Sequence, residues 1–222
     1  MLGAGFVHAC FQLSVSVLTL LSSHTIGRRL PDRRLLSLSF WYILGVVVAL
    51  TLLVLGSGSL LRFVASRDTT LAMNLALVVS PLVAIMVALF YYRRGSGTRL
   101  WLPRPAAEYI STRAKKTKSS VESFSLGTTT VLTELPFSVA PLLLVGYTVQ
   151  AFPGDMWLRL AMVYGVMVAS PLVFVAVYLS SGHKLSIVQR WREGAKTFLQ
   201  WTSATTLVLL SIYLFSLRGG SL

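Results

Sequence analysis

Residues 124–149 read FSLGTTTVLTELPFSVAPLLLVGYTV, a long apolar segment that carries one carboxylate, Glu134, and two prolines, Pro136 and Pro141. About 20 apolar residues, rising ~1.5 Å each along an α-helix, cross the hydrocarbon core of a bilayer. Further apolar segments lie on both sides of this one in the chain. The pattern predicts a set of membrane helices, one of which holds an acidic residue near its middle.

The composition of the whole chain excludes an ordinary soluble domain. Of the 222 residues, 55% are hydrophobic and only 12% are charged, and the mean hydropathy is +0.72. A soluble domain has roughly 25% charged residues. We therefore predict an all-α polytopic membrane protein with the lipid bilayer as its surroundings. Its six transmembrane helices are predicted at about 3–25, 36–60, 70–92, 124–149, 157–180 and 200–217.

The basic residues are unequally divided between the connections. Of the 20 Lys and Arg residues, 16 follow the first, third and fifth predicted helices. The rule that cytoplasmic loops are enriched in cations places these connections inside the cell and both termini outside it. We therefore expect a multi-pass protein of the cell (inner) membrane. The net charge of +13 is then a topology signal facing anionic lipid, and we expect no nucleic-acid partner.

The chain also shows signs of an internal duplication. When Gly5 is set on Gly127, Leu13 falls on Leu135 and Gln12 falls on Glu134. Three helices per copy force the second copy to insert upside down, as in many transporters. We predict a 3+3 inverted repeat made of residues 1–92 and 124–222. The basic linker 93–123 is either a charged segment at the lipid surface or, over Arg93–Lys118, a docking site for a protein partner.

This layout resembles the lysine-exporter superfamily. The similarity is carried by the six helices, the basic linker, the opening GFVHACF at 5–11 and the ELP at 134–136. That superfamily includes amino-acid and metal-ion exporters and the thiol-conducting membrane domains of cytochrome c biogenesis, so the resemblance implies export. The thiol-conducting members have a cysteine in the first helix of each half. Here the second position is Thr133 or Glu134, and Cys10 is the only cysteine, so thiol electron transfer is not implied.

Glu134 is the main candidate for function. A charge at the centre of a membrane helix costs about 2.5–3.5 kcal/mol on insertion scales, so an acid kept there indicates a role. It can bind a cationic cargo or exchange a proton, or it can be a protonated side chain that ties two helices together. Pro136 and Pro141 either break this helix near the midplane, as in transporter binding sites, or only bend it.

Polar side chains of the first predicted helix complete the candidate site. We predict that Gln12, Ser14 and His8 share a midplane cavity with Glu134, Thr133 and Pro136. A weaker alternative is a metal site with His8, Cys10 and Glu134 as ligands. Separately, the small residues Gly45 and Gly165 are predicted to let their helices approach neighbours closely.

These features predict an integral membrane transporter, an exporter of a small solute or ion, that works by alternating access around Glu134. The alternative is a non-catalytic membrane subunit that anchors a partner protein through the basic linker. An enzyme is not expected, because the sequence has one buried acid and no evident pairing of a nucleophile with a base. We expect no cofactor.

Overall fold

The computed structural model describes residues 1–14, 32–91, 104–181 and 185–219. Within these residues the chain is helical and contains no strand. A π-helical segment, Leu75–Val79, joins the third and fourth of its α-helices. The α-helices are α1 (Leu2–Ser14), α2 (Asp32–Ala65), α3 (Thr69–Asn74), α4 (Ser80–Tyr91), α5 (Arg104–Lys116), α6 (Ser120–Val149), α7 (Gly154–Ser180) and α8 (Leu185–Gly219).

Two helical segments of the described chain are long and apolar enough to cross a membrane, Leu36–Ala65 of α2 and Gly154–Ser180 of α7. Helix α6 makes a third if its two arms count as one span. Shorter apolar helices occupy Thr69–Val83 and Ala204–Ser216. The prediction of a helical protein is confirmed for the described residues, as is that of helices long and apolar enough to cross a membrane, while the count of six and the side of the termini stay predictions.

Both arms of helix α6 contact α2, and the contacts follow each other in the same order along the two helices. Thr128 Oγ1 donates a hydrogen bond to the Gly45 carbonyl at 3.4 Å, and farther along both helices Ser57 Oγ donates to the Leu142 carbonyl at 3.2 Å. Helix α7 runs the opposite way along α2. The Arg62 guanidinium near the end of α2 lies over the ring of Trp157, which is near the start of α7.

Glycines allow the close approach of α2 to α6. A Cβ atom on Gly45 would overlap the carbonyl oxygen of Phe124, and one on Gly127 would overlap the carbonyl oxygen of Tyr42. Backbone atoms of the two helices are therefore in direct contact. At the α2–α7 crossing a Cβ on Gly165 would lie 3.0 Å from a carbonyl oxygen of α2. The predicted close approach at Gly45 and Gly165 is confirmed.

Helices α1 and α6 contribute to both clusters of buried apolar side chains. The first cluster is built mainly from α2, α6 and α7, and the second includes the π-helical segment and α8. Helix α1 contributes Ala4 to the first cluster and Val7 to the second. Helix α6 contributes Val145 to the first and Leu144 to the second. These two helices therefore connect the two clusters.

The structure differs from the predicted boundaries at several places. Helix α2, Asp32–Ala65, extends past both ends of the predicted span 36–60. Helix α6 begins at Ser120, four residues before the predicted 124, because Ser119 and Glu122 form a reciprocal capping box. Helix α8 begins at Leu185, well before the predicted 200. The linker 93–123 contains helix α5, in which Ile110 and Ala114 are buried against the first cluster. That part of the linker is therefore packed against the bundle.

Candidate functional site

Glu134 lies in the interior of the molecule, with 2% of its side chain exposed. Thr130 and Ser138 are buried one turn before and one turn after it. Residues four apart share one face of an α-helix, so these three side chains form a buried polar face on a helix that is otherwise largely apolar. Sequence reasoning identified the acid, and the structure adds that it is sequestered from the surface.

Helix α6 changes direction immediately after Glu134. The arms Ser120–Leu135 and Ser138–Val149 meet at 95°. Pro136 has no N–H to donate, and prolines are the usual cause of sharp bends in helices. An angle this large favours the broken-helix interpretation of the prolines over a mild bend.

The hydroxyl of Ser138 bonds to the backbone at the bend. Its Oγ lies 3.2 Å from the carbonyl oxygen of Glu134 and 3.3 Å from that of Leu135. Carbonyl groups at a break in a membrane helix otherwise need a partner from water, cargo or a side chain. Ser138 therefore stabilises the bend, and the carbonyls of Glu134 and Leu135 already have a donor within the helix.

Most of the hydroxyl groups near Glu134 serve their own helix. Thr133 Oγ1 donates to the Thr130 carbonyl at 2.7 Å, and Thr130 Oγ1 donates to the Leu126 carbonyl at 2.8 Å. This is the usual behaviour of Ser and Thr inside helices. The hydroxyl of Thr133, predicted as a cargo contact, is thus already hydrogen-bonded within α6.

His8 on α1 is fully buried and bonded to Tyr164 on α7. Its Nδ1 atom lies 2.8 Å from the Tyr164 hydroxyl oxygen, and Tyr164 is 1% exposed. The other ring nitrogen, Nε2, is buried and has no hydrogen-bond partner within the described residues. An unsatisfied buried polar atom costs about 1–3 kcal/mol, so this one requires an explanation.

The remaining predicted site residues are only partly described. Gln12 and Ser14 lie on α1 and Pro136 lies on α6, and the side chains of these three residues fall outside the described part of the structure. Cys10 is buried on α1. Across the described residues, no group of three or more His, Cys, Asp or Glu side chains is placed to hold a metal ion. The metal alternative with His8, Cys10 and Glu134 thus gains no support.

Two features of the interior were not predicted. Tyr164 is an aromatic residue in an apolar stretch, and nothing local in the sequence distinguishes it from a packing residue. The π-helical segment Leu75–Val79 leads into Ser80, whose buried hydroxyl has no hydrogen-bond partner among the described residues. Short π-helical turns often occur at functional sites, and Ser80 with the following Pro81 was the only local signal for this one.

Comparison with protein-family models, curated proteins and solved structures finds no match for this chain. The lysine-exporter resemblance therefore stays a prediction.

Proposed function

We propose that this chain is an integral membrane transporter, an exporter of a small solute or ion, that works by alternating access around the polar face of α6. The observation that carries the proposal is the burial of Glu134 beside the 95° break in its helix. An acid held in the membrane interior is costly, and discontinuous helices are where repeat-built transporters bind cargo.

The directions of the helices support a six-helix topology. In such a chain the second and fourth spans run the same way and the fifth runs against them, as α2, α6 and α7 do. Arg34, assigned to the cytoplasmic side, donates to the carbonyl of Lys118 from the same side at 3.2 Å. Arg62, assigned to the outer side, lies over Trp157 at the opposite end of α2.

The pairing of helices supports the inverted repeat. Under a 3+3 duplication α1 corresponds to α6, α2 to α7 and α4 to α8. The contact of α1 with α7 then has its counterpart in α2 with α6, and that of α1 with α8 in α4 with α6. The repeat also pairs each helix with its own equivalent in the other half. All three such pairs are in contact, namely α1 with α6, α2 with α7 and α4 with α8.

In this proposal helices α1 and α6 carry the cargo site, and the flanking pairs rock around it. Glu134 either binds a cationic group of the cargo or takes up and releases a proton as the cavity opens to each side. In both roles the carboxyl group must meet water or cargo during the cycle, since binding a cation and exchanging a proton both require direct contact with it.

The test is transport by Glu134→Gln, which keeps the shape of the side chain and removes its charge. Purified protein is placed in liposomes and assayed with labelled amino acids, monovalent and divalent cations, and an internal pH dye. We expect Glu134→Gln to lose at least roughly 90% of the flux while assembling normally, since charged hydrogen bonds contribute about 1.5–3 kcal/mol. Glu122→Gln, an exposed carboxylate on the same helix, is the matched control. Undiminished flux in Glu134→Gln, or no flux of any probe by the wild type, contradicts the proposal.

A second candidate, a non-catalytic subunit that anchors a partner, is favoured by helix α5. Ile110 and Ala114 hold this helix against the bundle, while Tyr109, Arg113 and Lys116 are exposed. Such a surface suits an acidic protein segment. In this alternative Glu134 only links two helices, so Glu134→Gln would keep partner binding. The double variant Arg113→Glu and Lys116→Glu would abolish partner binding.

A further inference from the structure

His8 has one ring nitrogen paired and one unpaired, and the pairing fixes which nitrogen carries the proton. The Tyr164 hydroxyl has a single proton, and the hydrogen bond that it shares with His8 Nδ1 is its contact among the described residues. If Nδ1 carried the proton, the Tyr164 hydroxyl proton and Nε2 would both lack a partner there. If Tyr164 donates to Nδ1, only the Nε2–H group does. The second arrangement leaves fewer polar groups without a hydrogen-bond partner, so we assign the ring proton of His8 to Nε2.

The neighbouring turn of α1 shows how closely the two helices approach. A Cβ on Gly5 would lie 2.9 Å from Met167 Sδ and 3.5 Å from Cε2 of Tyr164. The absence of a side chain at Gly5 lets α1 come near enough for the Tyr164 hydroxyl to reach His8. The ring of His8 is thus held at a defined position between α1 and α7.

The second half of the chain has a glycine and a tyrosine at the equivalent positions. A shift of 122 positions, which places Gly5 on Gly127, also places Tyr42 on Tyr164. Gly127 packs against the backbone carbonyl of Tyr42, whereas Gly5 lies nearest to the side chain of Met167 and also faces the ring of Tyr164. The shift further aligns fully buried residues of α2 and α7, namely Val46 with Val168 and Leu50 with Leu172.

Position 8 of the first half corresponds to Thr130 of the second. The Thr130 hydroxyl donates to the Leu126 carbonyl of its own helix at 2.8 Å, so the hydroxyl has a hydrogen-bond partner. The close contact of α6 with α2 at Gly127 therefore forms with a threonine at the position equivalent to His8. Packing does not require an imidazole at this position, and His8 Nε2 has no hydrogen-bond partner among the described residues, which points to a binding role for His8.

We infer that His8 Nε2–H is a cargo-binding donor and that Tyr164 is the positioning residue that fixes it. The inference rests on the transporter proposal and narrows its substrate class. An N–H donor in a dry interior is matched by an acceptor oxygen, so the cargo is a small solute with a carboxylate or carbonyl oxygen.

The test uses ¹⁵N-histidine NMR on the full-length protein in micelles or nanodiscs. The free protein should show His8 protonated at Nε2, and acetate or acetamide should shift that signal in a saturable way. The two probes distinguish a charged carboxylate from a neutral carbonyl. Tetramethylammonium chloride should shift it no more than sodium chloride at the same concentrations, because the tetramethylammonium cation has no acceptor atom.

Variants separate positioning from general structure. Tyr164→Phe should weaken the probe response about tenfold and mix the His8 tautomers, because the donor to Nδ1 is gone. Tyr42→Phe, the equivalent tyrosine of the other half, should leave both unchanged. His8→Thr, which copies Thr130, should fold and bind neither probe, as followed on the probe's own signals.

Two results overturn the inference. One is a His8 ring protonated at Nδ1 in the wild type. The other is an Nε2 signal that neither acetate nor acetamide moves. Neither result depends on flux, so failure here is distinct from failure of the Glu134→Gln transport test.

Discussion

The pair α2–α6 and the pair α1–α7 are equivalent under the proposed repeat, yet they are held together differently. In α2–α6 backbone touches backbone, since Cβ atoms on Gly45 and Gly127 would overlap carbonyl groups of the facing helix. In α1–α7 the contact at Gly5 is with the flexible side chain of Met167, and a buried hydrogen bond joins His8 to Tyr164.

This difference suggests that the two helix pairs move differently. A backbone contact cannot adjust without separating two helices, whereas a methionine side chain can change rotamer. The pair α2–α6 is therefore expected to move as a unit, and the pair α1–α7 to give way when the site opens. Substitutions at equivalent positions should then differ greatly in effect.

The largest effect is expected from Gly127→Ala. The added methyl group meets the Tyr42 carbonyl, so α2 and α6 must separate, at a cost of about 3 kcal/mol or more. Thermal unfolding can be followed with a thiol-reactive dye, because Cys10 is buried and is the only cysteine. A fall in Tm of roughly 6–12 °C is expected. Gly56→Ala on α2 faces open space and should not lower Tm.

A smaller effect is expected from Tyr164→Phe. This change removes the hydroxyl that donates to His8 Nδ1, so that neither ring nitrogen has a hydrogen-bond partner among the described residues. It should destabilise the protein by about 1–3 kcal/mol. In the background His8→Thr the same change should cost less, with a coupling of at least about 0.5 kcal/mol in a double-mutant cycle. Additive effects would show that the two residues are not coupled.

Ser57→Ala tests the outer part of the α2–α6 pair. The Ser57 hydroxyl bridges the Val54 carbonyl at 3.0 Å and the Leu142 carbonyl at 3.2 Å. Its loss should cost about 0.5–1.5 kcal/mol in unfolding free energy. Ser66→Ala, where an exposed hydroxyl bonds only its own helix, is the control and should change stability less.

The smallest effect is expected from Gly5→Ala, the counterpart of Gly127→Ala. Only the end of the Met167 side chain stands in the way, and it can move. Unfolding free energy should change by less than about 1 kcal/mol. A loss as large as that of Gly127→Ala would contradict the difference between the two pairs.

The sequence predicted the helical membrane class because hydropathy is a property of composition. It also predicted the close approaches at Gly45 and Gly165, because glycine in a membrane helix has few other uses. The early starts of α6 and α8 were not predicted, for one reason: hydropathy detects the apolar part of a helix and does not register its polar ends. A capping signal, Ser119 followed by Glu122, was present for α6.

The candidate site was predictable only in part. Glu134 was identified from residue type and position alone, whereas the sequence left open whether Pro136 breaks its helix or only bends it. The bond between His8 and Tyr164 joins residues 156 positions apart, and its existence depends on how α1 and α7 pack. The same holds for Thr133 and Ser138, whose hydroxyl partners on their own backbone depend on rotamers that the sequence does not specify.

The most direct test asks whether water reaches the polar face of α6. In a Cys10→Ala background, Thr130→Cys and Ser138→Cys place single thiols one turn before and one turn after Glu134 on the same face. Leu132→Cys, on the exposed apolar face, is the lipid-facing control. Transport through this face predicts that a membrane-impermeant thiol reagent labels positions 130 and 138 in intact membranes but not position 132. Val121→Cys, at the exposed start of α6, is the positive control. If positions 130 and 138 stay unlabelled from both sides while position 121 reacts, water does not reach Glu134 and the transporter account is wrong.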